Sequence, residues 1–155
     1  MTNGVRTIDI ETKLIKDGQD WLDDPGIVVT GVLQLGDSTP LLKWDHLTPN
    51  EELAEATLRS GDILVGHNIA FDIKRLAAKL KMKPEEVAML NVWDTQVVQH
   101  VLQATTWSSL DDLATYYGLP TKPDAIKTEY FEKGLGAESV PMPMLKDYLT
   151  HDLTI

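Results

Sequence analysis

Asp9 and Glu11 stand two residues apart in a β-branched, alternating stretch, Gly4-Val-Arg-Thr-Ile-Asp-Ile-Glu11. On a strand that spacing puts both carboxylates on one face, with Ile8 and Ile10 on the other. Two like charges side by side in a sheet repel and lose hydration, unless a cation sits between them. The plainer reading of the pair is a solvated face. Asp72 follows Gly66-His67-Asn68-Ile69-Ala70-Phe71 at the start of a helical stretch. An acid there favours the helix dipole and needs no other role. Asn68, four residues earlier, suits the cap or turn before that helix. Tyr148 and Asp152 are spaced i, i+4 on a last helical segment and share a face, beside the apolar stripe Leu145, Leu149 and Leu153. Singly they read as a boundary aromatic and a surface acid. Four carboxylates without a single cysteine suit Mg²⁺ or Mn²⁺ better than Zn²⁺.

The elements that must hold these residues are legible as an alternation of strands and helices. Residues 4–11 read as a strand. Residues 26–35 read as a second, buried strand between turn signals at Pro25-Gly26 and Gly36-Asp37. Residues 41–44 suggest a third. A helix follows over about 50–59, with Thr48 as its cap, Pro49 at its first position and Glu51 three residues past the cap. Residues 62–65 form a short apolar strand. Residues 71–81 are apolar at helical spacing at Phe71, Leu76, Ala77 and Leu80, and Phe71 is assigned to the core. Pro84-Glu85-Glu86 starts another helical piece. Val92-Trp93 reads as a strand, and Asp94 caps a helix over 95–103. Residues 109–117 form a helix stopped by Gly118 and Pro120. Residues 120–143 hold four of the eight prolines and read mainly as loop. Residues 143–155 are helical in pattern. The sum is an α/β domain with a mixed sheet covered by helices.

At 155 residues the chain is about one domain, with 43% hydrophobic and 25% charged residues, as in a soluble globular protein. No apolar run approaches the roughly 20 residues that cross a bilayer, and Met1–Thr12 has no secretory h-region. The absence of cysteine excludes disulfides and fits a reducing, cytoplasmic setting. The net charge is −10. Proteins that grip phosphates are usually basic, so this charge alone argues against a nucleic-acid partner. It argues less if several acids hold divalent ions, which reverse the local sign.

Taken together, Asp9-Ile10-Glu11-Thr12, Asn68-Ile69-Ala70-Phe71-Asp72 and Tyr148-Leu149-Thr150-His151-Asp152 resemble, in order and placement, the three exonuclease motifs of the DEDD superfamily of 3′→5′ exonucleases. The resemblance runs from residue 5 to 154. It favours the tyrosine branch, because the position where the other branch carries histidine is Asp147. Ser108–Ala114 and Tyr117-Gly118-Leu119 look like the proofreading domain of phage or bacterial family A DNA polymerases. The chain is far too short to contain a polymerase.

The resemblance implies a ribonuclease H-like mixed β-sheet flanked by helices on both faces. It implies a two-metal-ion hydrolysis of DNA from a 3′ end, releasing nucleoside monophosphates, with Mg²⁺ or Mn²⁺ as cofactor. Two divalent ions about 4 Å apart can generate the nucleophile and stabilise both oxygens of the displacement. By the resemblance, Asp9 bridges both ions. Glu11 and Asp152 complete the site holding the nucleophilic water, and Asp72 holds the second ion partly through water. Tyr148 orients the attacking water. Asn68 contacts the terminal nucleotide, and Thr12, His67 and Phe71 join it as substrate-side candidates. Trp107, Tyr116 and Tyr117 are stacking candidates, although burial is the commoner fate of aromatics. Asp111 and Asp112 read as helix-surface acids. Lys122, Lys127 and Lys133 are backbone-contact candidates in the loop. The implied partners are single-stranded DNA or a DNA 3′ end and a DNA polymerase, for a monomer in the phage or bacterial host cytoplasm. A ribonuclease D-like RNA trimming enzyme would carry the same acids. A non-catalytic module that holds a polymerase is the alternative of another class, and a metal-binding protein unrelated to nucleotides is a third. The ending Asp152-Leu-Thr-Ile155 has no Gly or Asn stop, so the last helix is expected to continue in a longer natural form.

Overall fold

Alternation decides how the first strand sits. The computed structural model describes residues 4–15, 20, 22–45, 51–104, 108–121 and 125–155. Strand β1 (Val5–Thr12) buries Ile8 and Ile10 and leaves Asp9 and Glu11 half-buried on its other side. It lies at the centre of a five-stranded sheet with β2 (Ile27–Gln34), β3 (Leu41–Trp44), β4 (Ile63–Gly66) and β5 (Val92–Asp94), in the order β3-β2-β1-β4-β5. The β1–β2 and β2–β3 pairs are antiparallel, whereas β1–β4 and β4–β5 are parallel. The expected mixed α/β sheet is therefore present. The carboxyl ends of β1, β4 and β5 meet along one edge, the usual place for ligands in open α/β sheets.

Two apolar layers sandwich the sheet. On the Ile8/Ile10 face lie α1 (Glu51–Leu58) and α2 (Ala70–Lys79), whose Ala54, Leu58, Ile73 and Leu76 pack with Val32 and Leu64. On the Asp9/Glu11 face lies α7 (Met142–Thr154), whose Leu145, Leu149 and Leu153 pack with Val29, Ile126 and Val140. Each such side chain, fully buried, contributes about 1.5–3 kcal/mol. The helices α3 (Pro84–Ala88), α4 (Thr95–Gln103), α5 (Leu110–Tyr116) and α6 (Ala125–Glu129) complete the described elements, with 3-10 turns at Phe131–Lys133 and Ala137–Ser139. Among the described residues no helix is long and apolar enough to cross a membrane.

The structure corrects the sequence reading in three places. Residues 120–143 are not mainly loop: α6 and the two 3-10 turns occupy them, short enough to fit between the prolines. Lys127 and Lys133 accordingly sit on helical turns. Phe71 is not core but 42% exposed, because the inward positions of α2 are taken by Asp72, Ile73, Leu76 and Ala77. Tyr116 and Tyr117 are exposed rather than buried, and they pack edge to face at 4.9 Å. The expected cap Thr48 with Pro49, the aromatic Trp107 and Lys122 lie outside the described residues.

Candidate metal centre

Three of the four acids converge. Ligand oxygens of Asp9, Glu11 and Asp152 all lie within 4.8 Å of one another, each side chain half-buried. Two come from adjacent same-face positions of β1 and the third from the last turns of α7, anchored by Leu149 and Leu153 on either side of Tyr148 and Asp152. The register with β2 shifts between Glu11, opposite Val29, and half-buried Thr12, opposite Ile27.

Asp72 reaches the group from the opposite face. It sits in the first turn of α2 and is only 4% exposed. The backbone N–H of Ile10 donates to Asp72 Oδ1 at 3.1 Å and to Asp9 Oδ1 at 3.1 Å, so a single amide ties the two acids together. Burial, and after it the charges of Asp9 and Glu11, push the Asp72 carboxyl well above the usual carboxylate range, against the pull of the Ile10 amide. Desolvation together with like charges marks a cluster that gains by taking up cations. The donors are carboxylate oxygens with no thiolate within the chain, and they fit a hard divalent ion such as Mg²⁺ or Mn²⁺.

The flanking residues divide into exposed and scaffold groups. Asn68 is exposed and takes a left-handed φ of 56°, a conformation asparagine tolerates. It closes the turn through its backbone, accepting from Phe71 N at 3.0 Å, while its own N–H donates to Asp94 Oδ1 at 3.0 Å. No side chain caps α2. Asp94 caps α4 as expected, accepting from Gln96 N and Val97 N. Phe71 lies under the Arg75 guanidinium, 4.9 Å from the ring centre. Arg75 also donates to the Pro25 carbonyl at 2.8 Å, pinning α2 to the β1–β2 connection. The sequence reading did not single out Arg75.

His67 is engaged at both ring nitrogens. Nε2 donates to the Ser108 carbonyl at 2.9 Å and Nδ1 lies 3.1 Å from Thr95 Oγ1. Burial lowers its pKa below the ordinary value, although Asp94 and Asp152 pull the other way. The ring thus joins β4 to α4 and to the residues before α5, and it lines a cavity of about 350 Å³ with Asp9, Leu113, Tyr117 and Asp152. Tyr148 is half-buried, one turn before Asp152, with its ring edge to face on Phe131 at 6.0 Å. Asp112 forms a capping box with Ser109, and Asp111 is half-buried.

No protein-family model matches the chain, and the search of curated proteins gives no match.

Proposed function

We propose that the chain is a metal-dependent 3′→5′ exonuclease that hydrolyses DNA from its 3′ end and releases nucleoside monophosphates, built on a ribonuclease H-like fold. One observation carries the reading. Acids 61 to 143 residues apart in sequence, on β1, α2 and α7, are gathered around the Ile10 amide and the Asp152 carboxylate. A surface rich in solvated acids would have no reason to bury one of them against Asp9 and to gather Glu11 and Asp152 around that same Asp9. The mixed sheet with helices on both faces supports the fold assignment.

Two divalent ions, when bound, supply water activation and neutralise charge on the phosphoryl oxygens. Asp9, Glu11 and Asp152 are the residues that would hold an ion together, and Asp72 would add its carboxylate from the α2 side. The Ile10 N–H fixes the Asp9 and Asp72 carboxylates relative to each other. The hydroxyl of Tyr148, one turn before Asp152, would orient the attacking water. Asn68 and Phe71, both exposed and just before Asp72 in sequence, would contact the terminal nucleotide.

The test is digestion of a 5′-labelled single-stranded DNA with Mg²⁺, with Mn²⁺ or with chelator, beside an RNA of the same sequence. A ladder shortening from the 3′ end, dependent on the ion and faster on DNA, is expected. No shortening with either ion sinks the reading, and a faster RNA ladder replaces DNA by RNA as the substrate.

A further inference from the structure

We propose that Gly31 is a positioning residue of the carboxylate site: by having no side chain it sets the height of α7 above the sheet and so brings Asp152 to Asp9 and Glu11. This inference rests on the exonuclease reading of that site. Gly31 is the residue of β2 directly opposite Asp9 in the antiparallel register, so both project toward α7. A Cβ placed on Gly31 would stand 2.5 Å from Leu153 Cδ1, 3.0 Å from Leu42 Cδ2 and 3.1 Å from Leu149 Cδ2.

The crowding is three-sided and has little room to relax. Leu149 is fully buried and Leu153 is 2% exposed, so neither side chain has solvent to swing into. Close-packed interiors transmit such strain rather than absorb it. Leu42 on the edge strand β3 is half-buried and can give way, so the two contacts without that freedom are both on α7, and a shift of α7 relieves them together. Leu149 and Leu153 each follow one residue after Tyr148 and Asp152. The pair that touches Gly31 is therefore bonded directly to the pair that serves the site, and any lift of α7 carries Asp152 away from the β1 acids. Glycine inside a strand is otherwise a weakening choice. Its backbone φ is not in the left-handed region, so conformation does not demand glycine here; the space does.

The experiment uses Gly31→Ala, Leu153→Ala and the double variant, with Leu58→Ala as a control that destabilises from the other face of the sheet. Mn²⁺ affinity, kcat on single-stranded DNA and melting temperature are measured for each. Gly31→Ala is expected to weaken Mn²⁺ binding by about tenfold or more and to lower kcat by up to about 10²-fold, as small misplacements of first-rank ligands do. Removing the Leu153 side chain opposite the new methyl should restore most of both, so the double variant outperforms Gly31→Ala. Leu58→Ala should lose melting temperature but keep Mn²⁺ affinity. Gly31→Ala with wild-type affinity and kcat overturns the proposal. So does a double variant that fails to fold or is no better than Gly31→Ala, and so does an equal loss of affinity in Leu58→Ala. A wild-type chain that neither binds Mn²⁺ nor shortens DNA fails the functional reading instead, which separates the two failures.

Discussion

The two faces of β1 are built from the same strand by opposite rules. Toward α1 and α2, Ile8 and Ile10 are buried in an apolar layer whose acid, Asp72, is 4% exposed and raised in pKa by that burial. Toward α7, Asp9 and Glu11 stay half-buried beside Asp152. The dry face holds its acid by enclosure, and the wetter face holds three by mutual proximity. The Ile10 N–H, which bonds to Asp9 and Asp72 together, links the two sets. A site divided this way can tolerate very different losses on its two sides, and the difference can be measured.

The largest effect is expected on the wetter face. Under the proposed function, Asp9→Ala or Asp152→Ala should abolish hydrolysis while circular dichroism and a cooperative melt persist, because each removes a carboxylate that would hold an ion. Such losses amount to several kcal/mol of transition-state stabilisation. A purified Asp9→Ala protein that keeps a tenth of the wild-type rate would refute the assignment of that face.

Tyr148 lies on the same helix face as Asp152, and its expected loss is smaller. Tyr148→Phe keeps the edge-to-face contact with Phe131 and removes the hydroxyl alone. A rate about 10²-fold lower is expected, the usual worth of an oriented hydrogen bond in proton transfer. Full activity would make Tyr148 a packing residue. A loss as complete as that of Asp152→Ala would give the hydroxyl a larger role than orientation.

Much of this layout was legible from residue types. β3 at Leu41–Trp44 and α4 at Thr95–Gln103 coincide with their sequence readings, because turn signals and the Asp94 cap mark their ends locally. The inward pointing of Ile8 and Ile10 followed from strand alternation. What stayed illegible depends on distant neighbours. The tight fit at Gly31 is made by Leu149 and Leu153, more than a hundred residues away, and a glycine inside a strand was the available signal. Phe71 read as core by its spacing on α2, but Asp72 takes the buried position beside it, which no local pattern announces. The short helix α6 escaped because the prolines around it suggested loop.

Cation binding should sharpen the contrast through stability. An ion that binds only the folded state stabilises it by mass action, about 2.7 kcal/mol at a hundred times its Kd. Mn²⁺ or Mg²⁺ should therefore raise the melting temperature more than NaCl of equal ionic strength. Asp9→Ala should flatten that response. Identical melts in MgCl₂ and NaCl at matched ionic strength would count against a clustered site.

The smallest effect concerns Asp72 without any ion, and its sign follows from the dry face. When unfolded, Asp72 ionises near the ordinary 3.8; when folded, its carboxyl holds the proton well above that. Between the two values the unfolded chain binds fewer protons, so stability falls as pH rises through this window, by at most about 1.4 kcal/mol per pH unit for one proton. Asp72 feels the charges of Asp9 and Glu11, so its contribution is best isolated as a difference between proteins. Asp72→Asn has no such proton to lose. In chelator its stability should fall less steeply than that of the wild type as pH rises above the ordinary carboxylate range. Adding Mn²⁺ should stabilise the wild type more than the variant, because the wild type alone keeps the fourth carboxylate charge against the ion. Urea unfolding across that rise in pH, with and without the ion, reads both signs. Parallel pH curves for the two proteins in chelator would show that burial imposes no such penalty on Asp72. The division of the site into an enclosed acid and an open trio would then fail.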